Sequence, residues 1–246
     1  MEKFMEKFTE QVELISFIPA RGSSERLPRK NIKMLAGKPM MCWAIEASLK
    51  SKYVNRTFVS TEDPEIKKIA LEYGAEVHDR PKKYAEDKGN ELLGGFQHFK
   101  EMIWGTKWDY CYCAFIYPCL PLITSKHIDE AYELLIEKKG DQVTSVAETK
   151  YYSNRLLKVI DSNGQLQVAY DWDIREFLNP KGIKIYHLES LLSITPLIEM
   201  GWSCGRNGTL AYVVKPEDCI DVDTIFDFKV AEMLLRERIA KEAKKI

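Results

Sequence analysis

The chain has 246 residues, of which 36 are Lys or Arg and 37 are Asp or Glu, giving a net charge of −1. That length suits one large α/β domain or two small ones, and it buries a core without disulfides or metal staples. The balanced charge excludes a global field for nucleic acid or for an anionic membrane surface, so any anion site has to be local.

Residues 1–12, with their doublet MEKF-MEKF, read as an N-terminal extension outside the fold. They are charged and lack the apolar core of a secretory leader. No apolar run approaches the roughly 20 residues of a membrane span. Val12–Pro19 reads as a buried strand closed by proline, followed by the cationic loop ARGSSERLPRKN, Ala20–Asn31. Met40–Leu49 has the pattern of a helix, and Arg56–Ser60 that of a short strand. Asp63-Pro64 supplies an N-cap and a first-turn proline for a helix that Gly74 closes, and AEVHD after it is a brief strand. Asn90–Thr106 is mostly helical, Tyr110–Tyr117 is a buried strand, and Thr124 or Ser125 caps a helix over Lys126–Lys138. Strands alternating with helices of this length predict an α/β fold with a mostly parallel, Rossmann-like sheet and ligands beyond the carboxyl ends of its strands.

From Asp141 the pattern changes. QVTSVAET, RLLKVID and GQLQVAYD read as three strands, with Ser162-Asn163-Gly164 as a hairpin turn. GIKIYHLESLL reads as a strand running into a helix, Trp202–Asn207 as a loop, GTLAYVV as a strand and Thr224–Lys245 as a long amphipathic helix. The expectation is a single domain, 1–246, with an inserted antiparallel arm at about 141–200.

The six cysteines, Cys42, Cys111, Cys113, Cys119, Cys204 and Cys219, include no C-x-x-C pair, and free thiols in this number suit a reducing cytoplasm. Cys111 and Cys113 share one strand face and read as small buried hydrophobes. The four histidines, His78, His98, His127 and His187, fall on separate elements and read as surface or packing residues.

Two stretches carry chemistry. In the loop after the first strand, the backbone N–H groups of Gly22, Ser23 and Ser24 can turn toward an anion, with Arg21 and Lys30 bracketing them. A triphosphate suits such a loop; a solvated basic loop is the alternative reading. In IDVDT, Asp221 and Asp223 are two apart, and on a strand they would project from one face at about 6.6–6.8 Å. Paired carboxylates call for a cation, and Mg²⁺ takes one or two of them with phosphate oxygens. The alternative is acids at a helix N-terminus, with Asp223 as cap.

The stretch IPARGSSERLPRKNIKMLAGKPM closely resembles the N-terminal signature of the acylneuraminate cytidylyltransferases, the CMP-sialic acid synthetase family. FVSTEDPEIKKIALEYGAEVHDRPKKYAEDKG and CIDVDTIFDFKVAEMLL resemble two further signatures of that family, in the correct order. The resemblance implies a nucleotidyltransferase that forms a CMP-activated acidic sugar from CTP and releases pyrophosphate, with Mg²⁺ as cofactor. It also implies a homodimer held by the inserted arm. It places the nucleotide against Ala20, Arg21, Gly22, Ser23, Arg26, Lys30, Asn31 and Arg80, with Arg21, Lys30, Asp221 and Asp223 in catalytic roles and the two aspartates on the metal. The chain departs from the signature at four of its positions. Glu25 replaces a loop lysine, and Arg26 replaces the usual glycine, as a basic residue does in the pseudaminic acid branch. On the sugar side, FIYPCLPLI puts Tyr117 where the sialate enzymes have glutamine, and KGIKIY puts Lys181 in place of asparagine; these two are the candidate sugar contacts. Glu25 either turns away to pair with Arg26 or Arg29, leaving Arg26 to supply the missing charge, or blocks the loop. A different acidic or phosphonate acceptor, and a nucleotide-binding protein without catalysis, remain as alternatives.

Overall fold

The computed structural model describes residues 13–24, 26–86, 91–106, 108, 111–148, 157–168, 186–187, 192–197 and 209–244. In chain order these form β1 (Leu14–Pro19), a hairpin of β2 (Met34–Leu35) and β3 (Lys38–Pro39), α1 (Met41–Leu49), β4 (Val54–Thr61), α2 (Pro64–Glu72) and β5 (Glu76–Asp79). Next come α3 (Lys83–Glu86), α4 (Glu91–Ile103), β6 (Tyr112–Ile116), α5 (Ser125–Glu137), β7 (Val143–Glu148), β8 (Leu157–Ile160) and β9 (Leu166–Val168). The chain finishes with β10 (Tyr186–His187), β11 (Leu192–Pro196), β12 (Leu210–Val214) and α6 (Ile225–Ala243). Ten strands join one sheet in the order β5-β4-β1-β6-β11-β7-β10-β8-β9, with β12 also on β7.

β1 is apolar on both faces because it has strands on both sides and helices above and below. It pairs in parallel with β4 and with β6. Leu14 and Ile18 face α1, α2 and α5 through Ile45, Ile66 and Ile128. Ile15 and Phe17 face α4 through Phe96 and Phe99, in a cluster that also holds Cys111 and Cys113 as small buried hydrophobes. The one polar residue in the strand, Ser16, is matched by Ser48 and Thr57, which bond to one another around it. A third cluster seats α6 on Leu27, Leu35, Met40, Leu122 and Val222. In that way the last helix is packed onto the cationic loop and its hairpin.

The parallel half of the sheet follows the sequence expectation, and so do the caps. Asp63 accepts from the N–H groups of Glu65 and Ile66, Pro64 opens α2, and Gly74 leaves it at φ +87°. The hairpin turn also stands, with Gly164 at φ +78° between antiparallel β8 and β9. Two readings change. Leu192–Pro196 is a strand, starting where the expected helix was to end, and pairs antiparallel with both β6 and β7; residues 188–191, the rest of that expected helix, lie outside the described residues. Residues 221–223 are extended loop between β12 and α6, not a strand, because they join no ladder among the described residues. Their alternation is real, however: Val222 is buried in the third cluster while Asp221 and Asp223 point away from it. Trp202–Asn207 and Lys181 lie outside the described residues. No described helix is long and apolar enough to cross a membrane.

Two histidines expected on separate elements meet. His78 Nε2 lies 2.8 Å from His98 Nδ1, and His78 Nδ1 lies 2.9 Å from Ser60 Oγ. Burial, with His98 and Arg80 nearby, lowers the His78 pKa to about 4. The unfolded chain therefore takes up a proton near pH 6.5 that the native chain refuses until about 4. Stability held above pH 6.5 should fall as pH drops toward 4. A urea-melt series for His78→Gln should show a shallower decline across that window, and an unchanged slope would place the loss elsewhere.

Candidate functional site

The carboxyl ends of β1, β4, β5, β6 and β12 open on one edge of the sheet, because β12 is parallel to β7 and β7 runs with β6 through β11. Each sends a loop there. The loop after β1 starts as a continuation of the sheet, with Ala20 N donating to Ser60 O at 2.9 Å. It then turns back, and Asn31 Nδ2 donates to Arg21 O at 2.9 Å, closing the loop across its base. Asn31 Oδ1 is buried without a hydrogen-bond partner. Such an orphaned acceptor fits a donor brought by a ligand.

The loop is fastened to the segment after β4. Gly22 N donates to Glu62 Oε1 at 2.8 Å. A Cβ on Gly22 would come within 2.9 Å of Asp63 Cβ, so only glycine admits this approach. Arg29, in the left-handed region at φ 56°, forks onto Asp63 and onto Glu65, the latter at 2.5 Å. Asp63 thus caps α2 and anchors the loop with one carboxylate. Glu62 also takes Arg80, whose guanidinium reaches Oε2 at 2.5 Å with the arginine side chain only 2 % exposed.

The far side of the site is IDVDT. Lys30 Nζ donates to Val222 O and to Asp223 Oδ1, both at 2.9 Å. Arg26 reaches Asp223 Oδ2 at 2.7 Å. The tip of the β6 loop closes the rim, with Val222 N donating to Cys119 O at 2.9 Å. Asp221 is surface-exposed, yet crowding around its carboxyl raises its pKa; a bond from the Cys119 thiol opposes this and the Asp223 charge adds to it. Burial also pushes the Cys119 thiol up, with Asp221 contributing.

The structure therefore brings Arg26, Lys30, Asp221 and Asp223 together on one side, ties Asn31, next to Lys30, to Arg21, and joins Gly22 to Arg80 through Glu62 on the other. Ser23 is exposed on the outer turn of the loop. Tyr117 follows β6, half-buried, its ring 4.9 Å from that of Phe115. Glu25 and Lys181 lie outside the described residues. Arg26 and Arg29, the two arginines expected to pair with Glu25, are engaged with Asp223 and with Asp63 and Glu65. Sequence reasoning missed Glu62 and Arg29 as parts of the site and treated Asp63 as a cap alone. Asp63 was legible as a cap from Asp-Pro, but nothing local signals that a loop 34 residues earlier uses the same carboxylate.

Two carboxylates crowded together, one with a raised pKa, make a donor set that suits a hard divalent ion. Among the described residues no group of three or more His, Cys, Asp or Glu could hold a metal, so oxygens of a bound phosphate would have to complete its shell.

Residues 15–172 match the cytidylyltransferase family. The chain belongs to that family. It is 32% identical over 226 residues to N-acylneuraminate cytidylyltransferase A of Danio rerio, covering 88% of this chain and 49% of that protein. It is 30% identical over 225 residues to an N-acylneuraminate cytidylyltransferase of Escherichia coli, covering 90% and 52%. A pseudaminic acid cytidylyltransferase of Campylobacter jejuni is 30% identical over 149 residues, covering 61% of this chain and 64% of that one. The chain thus spans about half the length of the N-acylneuraminate relatives it matches. The fold resembles that of CMP:2-keto-3-deoxy-manno-octonic acid synthetase complexed with CTP, at TM-score 0.67 and 16% identity, covering 92% of this chain and 99% of that one. It also resembles 4-diphosphocytidyl-2C-methyl-D-erythritol synthase, at TM-score 0.62 and 12% identity, covering 92% and 100%.

The double use of Asp63 is testable. The Arg29 guanidinium holds its carboxyl below the ordinary 3.8, so the stability it adds is present above about pH 4 and lost as pH falls through the lowered value. Asp63→Asn keeps an effective cap but should lose that acid dependence. Asp63→Ala should also lose the cap, costing about 0.5–2 kcal/mol in denaturant melts. Equal losses for both variants across pH 2–7 would contradict the shared role.

Proposed function

We propose that the chain is a CTP-dependent cytidylyltransferase that forms a CMP-activated acidic sugar, of the sialic or pseudaminic acid kind, and releases pyrophosphate. The observation that carries this reading is the closure of Lys30 onto Asp223. It places the cationic loop after β1 and the paired aspartates before α6 at one point, which is what a triphosphate held by cations and a metal requires.

On this reading the triphosphate lies along the loop, with the Ser23 and Ser24 N–H groups, Arg21, Arg26 and Lys30 as donors; the Gly22 N–H, expected to turn toward the anion, is instead held by Glu62. Asn31 Oδ1 accepts from the nucleoside, and Arg80, set in place by Glu62, borders it. Asp221 and Asp223 would hold Mg²⁺, which when bound neutralises phosphate charge and polarises the α-phosphate. The oxygen of the sugar's anomeric hydroxyl attacks the α-phosphorus, the bond from that phosphorus to the oxygen bridging it to the β-phosphorus breaks so that pyrophosphate leaves, and the hydroxyl proton passes to water. Such chemistry needs positioning and charge neutralisation more than a protein nucleophile. Tyr117, after β6, and Lys181 are the sugar-side candidates. Their departure from the sialate pattern, and the pseudaminic acid relative, support an acceptor other than common sialic acid. The same reading includes a homodimer through the arm at about 141–200 and a cytoplasmic setting for the free thiols.

Pyrophosphate release from CTP, Mg²⁺ and a panel of eight- and nine-carbon acidic sugars tests the proposal. Release with at least one acceptor is expected; CTP binding without release across the panel would favour a non-catalytic relative. Asp221→Asn and Asp223→Asn should each abolish turnover with an unchanged circular dichroism spectrum, and chelator should stop the wild type. Full activity in excess chelator would remove the metal from the scheme. Lys30→Ala should weaken CTP binding by about 1.5–3 kcal/mol in calorimetry, the scale of a charge-assisted hydrogen bond.

A further inference from the structure

Both oxygens of Asp223 carry a cation, Lys30 on Oδ1 and Arg26 on Oδ2. The two cations are held differently. The Lys30 side chain is 18% exposed, and its ammonium is also bonded to Val222 O, so the backbone keeps it in place. The Arg26 side chain is 70% exposed and follows a stretch rich in Gly and Ser. An exposed ion pair of that sort is weak and readily exchanged.

We propose that Arg26 is an exchangeable counter-ion of Asp223, and that it makes divalent-cation binding depend on the triphosphate. This inference rests on the cytidylyltransferase reading. A divalent ion that approaches Asp223 alone meets a guanidinium and an ammonium on the carboxylate it needs. Arg26 leaves that carboxylate when a stronger anion takes it, and a triphosphate offers paired oxygens that a guanidinium grips in a fork. Once Arg26 has moved onto the phosphates, Asp223 Oδ2 is free for the metal, and the same phosphates complete the metal's shell. Lys30 stays, because Val222 O holds it whichever anion is present. Metal and nucleotide then bind as one unit, each tightening the other by the same factor. The signature that this chain resembles has glycine in place of Arg26 and its pseudaminic acid branch a basic residue, so the exchange is confined to loops with a cation at that position and is not a property of the fold.

The test uses the full chain and Mn²⁺ as the probe, with free Mn²⁺ read by electron paramagnetic resonance, so no turnover is needed. Arg26→Ala should bind Mn²⁺ alone on the order of ten-fold more tightly than the unaltered chain, within the usual range of coupling factors. It should also lose most of the tightening that CTP confers on the unaltered chain. Arg26→Lys should stay near the unaltered chain in both respects. Adding Asp223→Asn to Arg26→Ala should erase the gain. The proposal is overturned if Arg26→Ala binds Mn²⁺ no more tightly, or if its gain survives Asp223→Asn. If CTP binds to no variant, the cytidylyltransferase reading falls and takes the triphosphate exchange with it. The Mn²⁺ comparison in the absence of CTP still decides separately whether Arg26 guards Asp223.

Discussion

The ammonium of Lys30 reaches Val222 O and Asp223, 192 and 193 residues further along the chain. Those two bonds draw the first loop and the last helix into one site. They are possible because Leu27, Leu35 and Val222 are buried in the same cluster under α6, which sets the spacing between the two segments before any charge is considered. Packing supplies the distance and the ion pair supplies the register. Without the apolar cluster, a lysine and an aspartate so far apart would form at most a weak surface pair.

The opposite wall follows the same logic with the charges reversed. Glu62 accepts from Gly22 N–H and from Arg80, while Asp63 accepts from Arg29 and from the first turn of α2. One short segment after β4 therefore sets the cationic loop, Arg80 and the helix behind them. Its rigidity comes from β4, which is paired in parallel on both sides. A loop held on one side by the segment leaving β4 and on the other by the segment entering α6 has less left to order when a ligand binds.

Much of this was legible in the sequence, and what was not has a physical reason. Strand runs, the Asp63-Pro64 cap and the Gly74 stop are local signals, and they hold. Leu192–Pro196 could not be recognised as a strand because its identity depends on β6 and β7, which flank it; strand preference is set by such neighbours more than by the residues themselves. In IDVDT the alternation of apolar and acidic residues was read as a strand. The alternation arises instead because Val222 plugs the cluster under α6 from an extended loop. The one-sided display of the aspartates survived the wrong assignment, since any extended backbone sends alternate side chains to opposite sides. The cations of the loop were visible, but their partners were not. That Arg26 and Lys30 share one carboxylate, and Arg29 takes two others, depends on contacts made across the sheet edge.

The cations of this loop are engaged before any ligand is considered, and that bears on selectivity. Lys30 and Arg26 are on Asp223 and Arg29 is on Asp63 and Glu65, while Arg80, after β5, is on Glu62 beside the loop. The arrangement lets a net charge near zero coexist with a dense cationic loop, and it keeps the loop from repelling itself. It also means that an anion binds here by exchange, not by simple addition of opposite charges. A monoanion gains little by displacing a carboxylate that is already well placed. On the proposed reading a triphosphate would gain more, because several of its oxygens would engage the Gly22 side of the loop and the Asp223 side together. Discrimination would then rest on the number and spacing of phosphate oxygens, a property of the geometry between Glu62 and Asp223 and not of how many positive charges the loop contains.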